Sequence, residues 1–159
     1  MEQETRVVSL AEEVELLRRI PMFANVETSK LKLLAFTSER VAFHAGDVLF
    51  SQNEMGSSAF IIISGEADVT VDTPAGPLTV AHVGRNDFIG EIAILCDVPR
   101  TASVVARTEL TTLCISKDLF FRMVTEFPQM AVEIMRVLAQ RLENTTRQLR
   151  EAVSHGNPS

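Results

Sequence analysis

The stretch SAFIIISGEADVTV, residues 58–71, decides the fold. An isoleucine-rich run from Ser58 to Ser64 meets Ser64-Gly65-Glu66 and passes into Ala67-Asp68-Val69-Thr70-Val71, where apolar and polar residues alternate. Alternation with a period of two sends successive side chains to opposite faces, so the second segment is a strand with one face on a core. The first is a strand by its β-branched content, and the triplet between them reads as a hairpin turn. Working outward, Gly46, Gly56, Gly65, Gly76, Gly84 and Gly90 punctuate the middle of the chain at the roughly 8–12-residue spacing of short strands in a barrel or sandwich. Between them lie Val41 to Phe43, Val48 to Phe50 and Leu78 to Val83, all short and apolar or alternating.

The ends follow helical rules. Ser9 with Glu12 makes a capping box that opens an amphipathic segment through Leu16, Leu17 and Ile20, stopped by Pro21. A second short helix covers about Ser29 to Thr37. Ser116 caps a helix through Phe120, Phe121 and Val124, Pro128 breaks it, and a longer helix runs to about Val153. The fold class is therefore α+β: an antiparallel β-roll, a jelly-roll-like double-stranded barrel, flanked by N-terminal helices and a long C-terminal helix. One domain is expected over 1–159, with helices in 1–40, the roll in 41–116, helices in 117–153 and a frayed tail in 154–159.

Composition narrows the function. A chain of 159 residues with a formal net charge of -6 lacks the basic excess needed to grip nucleic acid or an anionic membrane. No apolar run reaches the length of a membrane span, and the acidic start Met1-Glu2-Gln3-Glu4 is unlike a signal peptide, so the chain is expected in the cytoplasm. Cys96 and Cys114 have apolar neighbours and no metal-ligand spacing, which reads as reduced core thiols. His44, His82 and His155 are scattered, against the clustered ligands a cupin-type metalloenzyme needs, and no nucleophile motif is present. No metal, no cofactor and no catalysis are expected.

Chemistry concentrates in FIGEIAILCDVPRTASV, residues 88–104. Gly90 lets a ligand approach its backbone, and Glu91 to Leu95 can coil into one helical turn with its amides facing an anion. Arg100 offers a permanently charged fork of donors suited to a phosphodiester, and Thr101 adds a hydroxyl beside it. A carboxylate at Glu91 repels phosphate but accepts well from a ribose hydroxyl. A cyclic ribonucleotide is one ligand that carries both groups. A tight turn with a surface Glu–Arg pair is the plain alternative for either feature alone; their combination weighs against it.

With these residues the chain resembles the cyclic-nucleotide-binding domain family over about Leu16 to Val153. The resemblance includes the phosphate-binding cassette at 88–104, the stretch AGDVLFSQNEMGSSAFIIISGEADV at 45–69 and the flanking helices. It implies that Gly90 and Glu91 hold ribose, that Arg100 holds the cyclic phosphate, and that Ile92 and Ala93 bring backbone amides to it. Phe88, Ile89, Thr101 and Ala102 complete the cassette members assigned to the ligand. Asn53 stands where family members usually have glycine, a place that asparagine can fill because it tolerates a left-handed turn.

Along the last helix, Ala131, Met135, Leu138, Leu142, Thr145, Leu149 and Ala152 alternate spacings of four and three, a heptad seam. Its early members can pack on the roll, whereas Leu142 to Ala152 extends further and fits a parallel homodimer. AQRLENTTRQL, residues 139–149, resembles the dimer helix of catabolite activator-type sensors, which implies base contacts from Thr145 and Thr146 with Arg141 one turn before them. That resemblance favours cyclic AMP as ligand; Thr101 suits either purine, so cyclic GMP is the alternative. The expected function is a regulatory module that switches conformation on binding and signals to an effector protein that nothing in the sequence names. A transcription regulator's sensor lacking its helix-turn-helix is a second alternative; because the chain closes on Ser154-His155-Gly156-Asn157-Pro158-Ser159, direct DNA binding is not expected.

Overall fold

A computed structural model of the chain describes the backbone of residues 10–156 and the side chains of residues 10–154. Ser9 of the expected capping box and the last three residues of the tail lie outside that range. The chain divides into two compact units, Met1–Arg122 and Met123–Ser159.

The first unit opens with α1 (Leu10–Arg18), a 3-10 turn (Pro21–Phe23) and α2 (Thr28–Thr37). Val14 and Leu17, one helical turn apart, are buried together with Ile20, Phe23, Leu31 and Leu34, which gives these short helices a shared apolar contact surface. Arg18 ties them further, donating from Nη2 to Thr28 Oγ1 at 2.6 Å and from Nη1 to the Val26 carbonyl at 3.3 Å. Pro21 ends α1 as expected, and its fixed φ also starts the 3-10 turn.

Eight strands follow: β1 (Glu39–Phe43), β2 (Val48–Phe50), β3 (Ser58–Ser64), β4 (Ala67–Thr73), β5 (Gly76–Val83), β6 (Phe88–Ile89), β7 (Ser103–Ala106) and β8 (Leu110–Ser116). They form two four-stranded antiparallel sheets, in the orders β1-β8-β3-β6 and β2-β7-β4-β5. The β-roll read from the sequence is present. β2 and β3 have the expected bounds, while β1, β4 and β5 run two residues further than expected at one end. β1 therefore begins inside the span assigned to the N-terminal helices.

The pairing of the opening stretch differs from expectation. β3 and β4 lie in different sheets, so Ser64-Gly65-Glu66 is a crossover between sheets and not a hairpin turn. Gly65 adopts φ +96, and a Cβ there would fall 2.2 Å from the Glu109 carbonyl oxygen, so the crossover lies tight against the start of β8. The Glu66 carbonyl accepts from the Arg107 amide at 2.8 Å, which fixes the corner from the other side. The true hairpin is β4–β5, closed by Thr73↔Gly76 and held by Thr73 Oγ1, which donates to the Gly76 carbonyl at 2.6 Å.

Phe60, Ile62, Ala67, Ile89, Val104, Ala106 and Leu110 form one buried cluster, with Phe43, Leu49, Phe50, Val69, Val83 and Cys114 packed against it. These residues come from both sheets, so the cluster is the interior of the roll. Burying each large member is worth about 1.5–3 kcal/mol relative to exposure. Ala59 and Ile61, on the opposite face of β3, are buried too, which explains why that strand reads as a continuous apolar run. On that face Ile61 pairs with Phe88, and Phe88 stacks on Phe120 with ring centres 5.6 Å apart. Thr112, fully buried, is satisfied by donating to the Val41 carbonyl at 3.0 Å. The cysteines differ from the expected core pair: Cys96 is exposed at the end of a short helix, Cys114 is half-buried, and both are free.

α4 (Lys117–Glu126) spans the division between the units. Ser116 Oγ accepts from the Leu119 amide at 3.2 Å, which is the cap read from the sequence. Within the second unit, α5 (Pro128–Gly156) begins on Pro128, whose missing N–H costs nothing at a first helical position. It continues past Val153, so Ser154 to Gly156 are helical and not part of a frayed tail. Among the described residues no helix is long and apolar enough to cross a membrane.

Candidate functional site

β6 delivers Gly90 by pairing Phe88 and Ile89, both buried, with Ile61 and Phe60. Gly90 then turns into the left-handed region at φ +83 and caps α3 (Glu91–Cys96). A Cβ at this position would lie 2.8 Å from Arg100 Nη1, 3.3 Å from Phe50 Cε2 and 3.4 Å from the Ser58 carbonyl oxygen, so both space and φ require glycine. Glu91, the first residue of α3, is only 2 % exposed. Ala93 is buried behind it, while Ile92 faces outward at 43 % exposure. α3 ends on Asp97, itself left-handed at φ +56, whose carboxylate meets Lys117 Nζ at 3.4 Å.

Arg100 enters from the other side. Its amide donates to the Glu54 carbonyl at 2.7 Å and its carbonyl accepts from the Asn53 amide at 2.8 Å. Asn53 sits at φ +75, the left-handed turn anticipated for this place. Arg100 is 5 % exposed as a residue, and its guanidinium is held at three points: Nη1 donates to the Gly90 carbonyl at 2.9 Å, Nη2 to the Ser58 carbonyl at 2.8 Å, and Cζ stands 4.1 Å from the centre of the Phe50 ring. Nε is buried without a hydrogen-bond partner. Burial pushes the guanidinium below its ordinary value, with Glu54, Cys114 and Glu91 acting in the opposite sense. A buried charged donor left unsatisfied is costly, and an anion beside it removes that cost.

The first unit thus gathers Phe88, Ile89, Gly90, Glu91, Ile92, Ala93 and Arg100 around one short turn. Thr101, exposed, and Ala102, half-buried, follow Arg100 into β7. Arg141, Thr145 and Thr146 belong to the second unit, on α5, where Arg141 and Thr145 share a face by their four-residue spacing. Thr145 and Thr146 are exposed. His44 and His82, read as isolated, each face a carboxylate: Nδ1 of His44 lies 3.1 Å from Glu109 Oε1, and Nδ1 of His82 lies 2.6 Å from Asp68 Oδ1. Among the described residues no three His, Cys, Asp or Glu side chains are grouped to hold a metal ion.

Sequence reasoning missed four contributors to the Arg100 environment. Phe50 and Gly56 were legible only as a strand residue and a turn glycine. Ser58 and Glu54 act through main-chain carbonyls, which no side-chain pattern reveals. A Cβ on Gly56 would fall 2.5 Å from both Cζ and Nε of Arg100, a contact visible only in three dimensions.

Known proteins place the fold. The family model described as cyclic nucleotide-binding domain matches residues 40–127, more than half of the chain. A CRP-like cAMP-activated global transcriptional regulator of Mycobacterium tuberculosis is 30% identical over 140 residues, 87% of this chain and 62% of its own length. A cAMP-dependent protein kinase regulatory subunit of Colletotrichum orbiculare is 30% identical over 109 residues, 69% of this chain and 27% of its own. The chain thus spans less than two thirds of these relatives. The Thermus thermophilus catabolite activator protein shares the fold with a TM-score of 0.73 at 23% identity, over 82% of this chain and 62% of its own. Fold, cassette and family match agree: the chain belongs to the cyclic nucleotide-binding domain family, in the form related to CRP-like regulators and protein kinase regulatory subunits.

Proposed function

We propose that this chain is a sensor for cyclic AMP, taken in preference to cyclic GMP, that passes its bound state to an effector protein. The observation that carries the reading is the buried Arg100, whose Nε donor lacks a partner beside Gly90. In this reading Arg100 pairs with the cyclic phosphate, Glu91 accepts from the ribose hydroxyl, and the main chain at Gly90, Ile92 and Ala93 closes on the ligand. Phe88 and Ile89 fix the cassette from behind, and Thr101 and Ala102 line its exit. The preference for cyclic AMP is supported by the relatives, a cAMP-activated bacterial regulator and a fungal cAMP-dependent protein kinase regulatory subunit.

Arg141, Thr145 and Thr146 supply the base contacts in this proposal, and α5 is the dimer helix. Support comes from Met135, Leu142 and Leu149, alternate members of one heptad seam, seven residues apart, that stand 60%, 68% and 64% exposed on the single chain. A homodimer covers that stripe. The proposed action is a binding switch without catalysis, metal or bound cofactor. Isothermal calorimetry with cyclic AMP and cyclic GMP tests it: tighter binding of cyclic AMP is expected. Tighter binding of cyclic GMP overturns the role given to Thr145 and Thr146, and no binding of either overturns the sensor.

A further inference from the structure

We propose that Gly56 and Phe50 are positioning residues for Arg100, forming a slot that holds the guanidinium in place before an anion arrives. The inference rests on the reading of Arg100 as the phosphate-binding group and adds how that group is held. A Cβ built on Gly56 falls 2.5 Å from Cζ, 2.5 Å from Nε and 2.9 Å from Nη1 of Arg100. These distances are well inside van der Waals contact, so the guanidinium fills the volume that any other side chain at this position would occupy. Gly56 is not among the glycines with positive φ, so the demand here is for space and not for backbone freedom.

Phe50 supplies a ring face with its centre 4.1 Å from Cζ, within the range of a cation–π contact. That ring is itself stacked on Phe60 of the roll interior, with centres 6.0 Å apart and planes 26° from parallel, so it is anchored in the core. The segment carrying Gly56 is fastened to the segment carrying Arg100: Met55 bridges Pro99, and the Glu54 carbonyl accepts from the Arg100 amide at 2.7 Å. Nη1 and Nη2 each donate to one carbonyl, of Gly90 and of Ser58, so the guanidinium is tethered at both ends while Nε stays buried without a partner. An arginine fixed in this way has already lost its rotamer freedom, so ligand binding does not have to order it.

A double-mutant cycle tests the slot, with Gly56→Val, Arg100→Ala and the double variant compared by cyclic AMP calorimetry and by thermal melting without ligand. Gly56→Val alone is expected to weaken cyclic AMP by about tenfold or more, and to add nothing once Arg100 is alanine. Without ligand, Gly56→Val should lower the melting midpoint in the native background and spare it in the Arg100→Ala background, where the guanidinium no longer fills the space. Equal destabilisation in both backgrounds, or additive losses of affinity, overturns the slot. If Arg100→Ala leaves cyclic AMP affinity unchanged, the phosphate reading falls, and the ligand-free melting cycle still decides the packing of Gly56 against Arg100. Should Gly56→Val fail to fold, Phe50→Leu takes its place in the same cycle. Its loss of affinity, about threefold or more for a desolvated cation–π contact, should vanish when Arg100 is alanine, and an equal loss in both backgrounds overturns the proposal.

Discussion

The Asn53 amide donates to the carbonyl of Arg100 at 2.8 Å while Asn53 itself sits in the left-handed region at φ +75. A turn residue thus fastens the β2–β3 loop to the main chain of Arg100. Asn53→Gly keeps the turn at no steric cost and should leave stability within about 0.5 kcal/mol. Asn53→Val should cost about 1–2 kcal/mol, because a β-branched side chain is disfavoured at that φ. Chemical denaturation of the two variants checks the difference.

Arg100→Ala removes the buried charge that the proposed phosphate would pair with. Leaving that phosphate unpaired should cost about 3–5 kcal/mol, or roughly two to three and a half decades in affinity for cyclic AMP. Calorimetry on the variant reads this directly, and an unchanged affinity removes the pocket from consideration.

Glu91 is more deeply buried than Arg100, at 2 % and 5 % exposure respectively. Glu91→Ala should weaken cyclic AMP by about 1.5–3 kcal/mol, the worth of a hydrogen bond to a charged group. It should also narrow the preference for cyclic AMP over its 2′-deoxy analogue. If the two ligands lose affinity equally, Glu91 does not hold the ribose.

Leu142 and Leu149, seven residues apart and both exposed on α5, test the seam. Changing both to Asp places like charges in a two-helix core and should convert a dimer to a monomer. Light scattering across a concentration series distinguishes the states, and a native chain that is monomeric with and without cyclic AMP overturns the proposed dimer.

Gly65 is a stability site remote from the cassette in sequence. A Cβ there overlaps the Glu109 carbonyl oxygen at 2.2 Å and the residue is held at φ +96, so neither relaxation of a side chain nor a change of φ relieves Gly65→Ala. A loss of about 2–4 kcal/mol is expected, at the upper end of single-substitution effects. Urea unfolding should show the midpoint fall with an unchanged slope.

The sequence by itself determined five of the eight strands, β1 to β5, the helix boundaries marked by Ser116 and Pro128, and the residue types brought together at Gly90, Glu91 and Arg100, because these depend on local rules. Alternation at Ala67 to Val71 and a charged fork after Pro99 are properties of neighbours in the chain. Only the tertiary structure decided that Ser64-Gly65-Glu66 joins two sheets, since a turn does not specify its strands' partners: β3 pairs with β8, some 50 residues away. The Arg100 environment was hidden for the same reason. Phe50, Gly56 and Ser58 meet the guanidinium through a ring face, the lack of a Cβ and a carbonyl, while the Glu54 carbonyl holds the Arg100 amide, and such contacts exist only after distant segments are packed together.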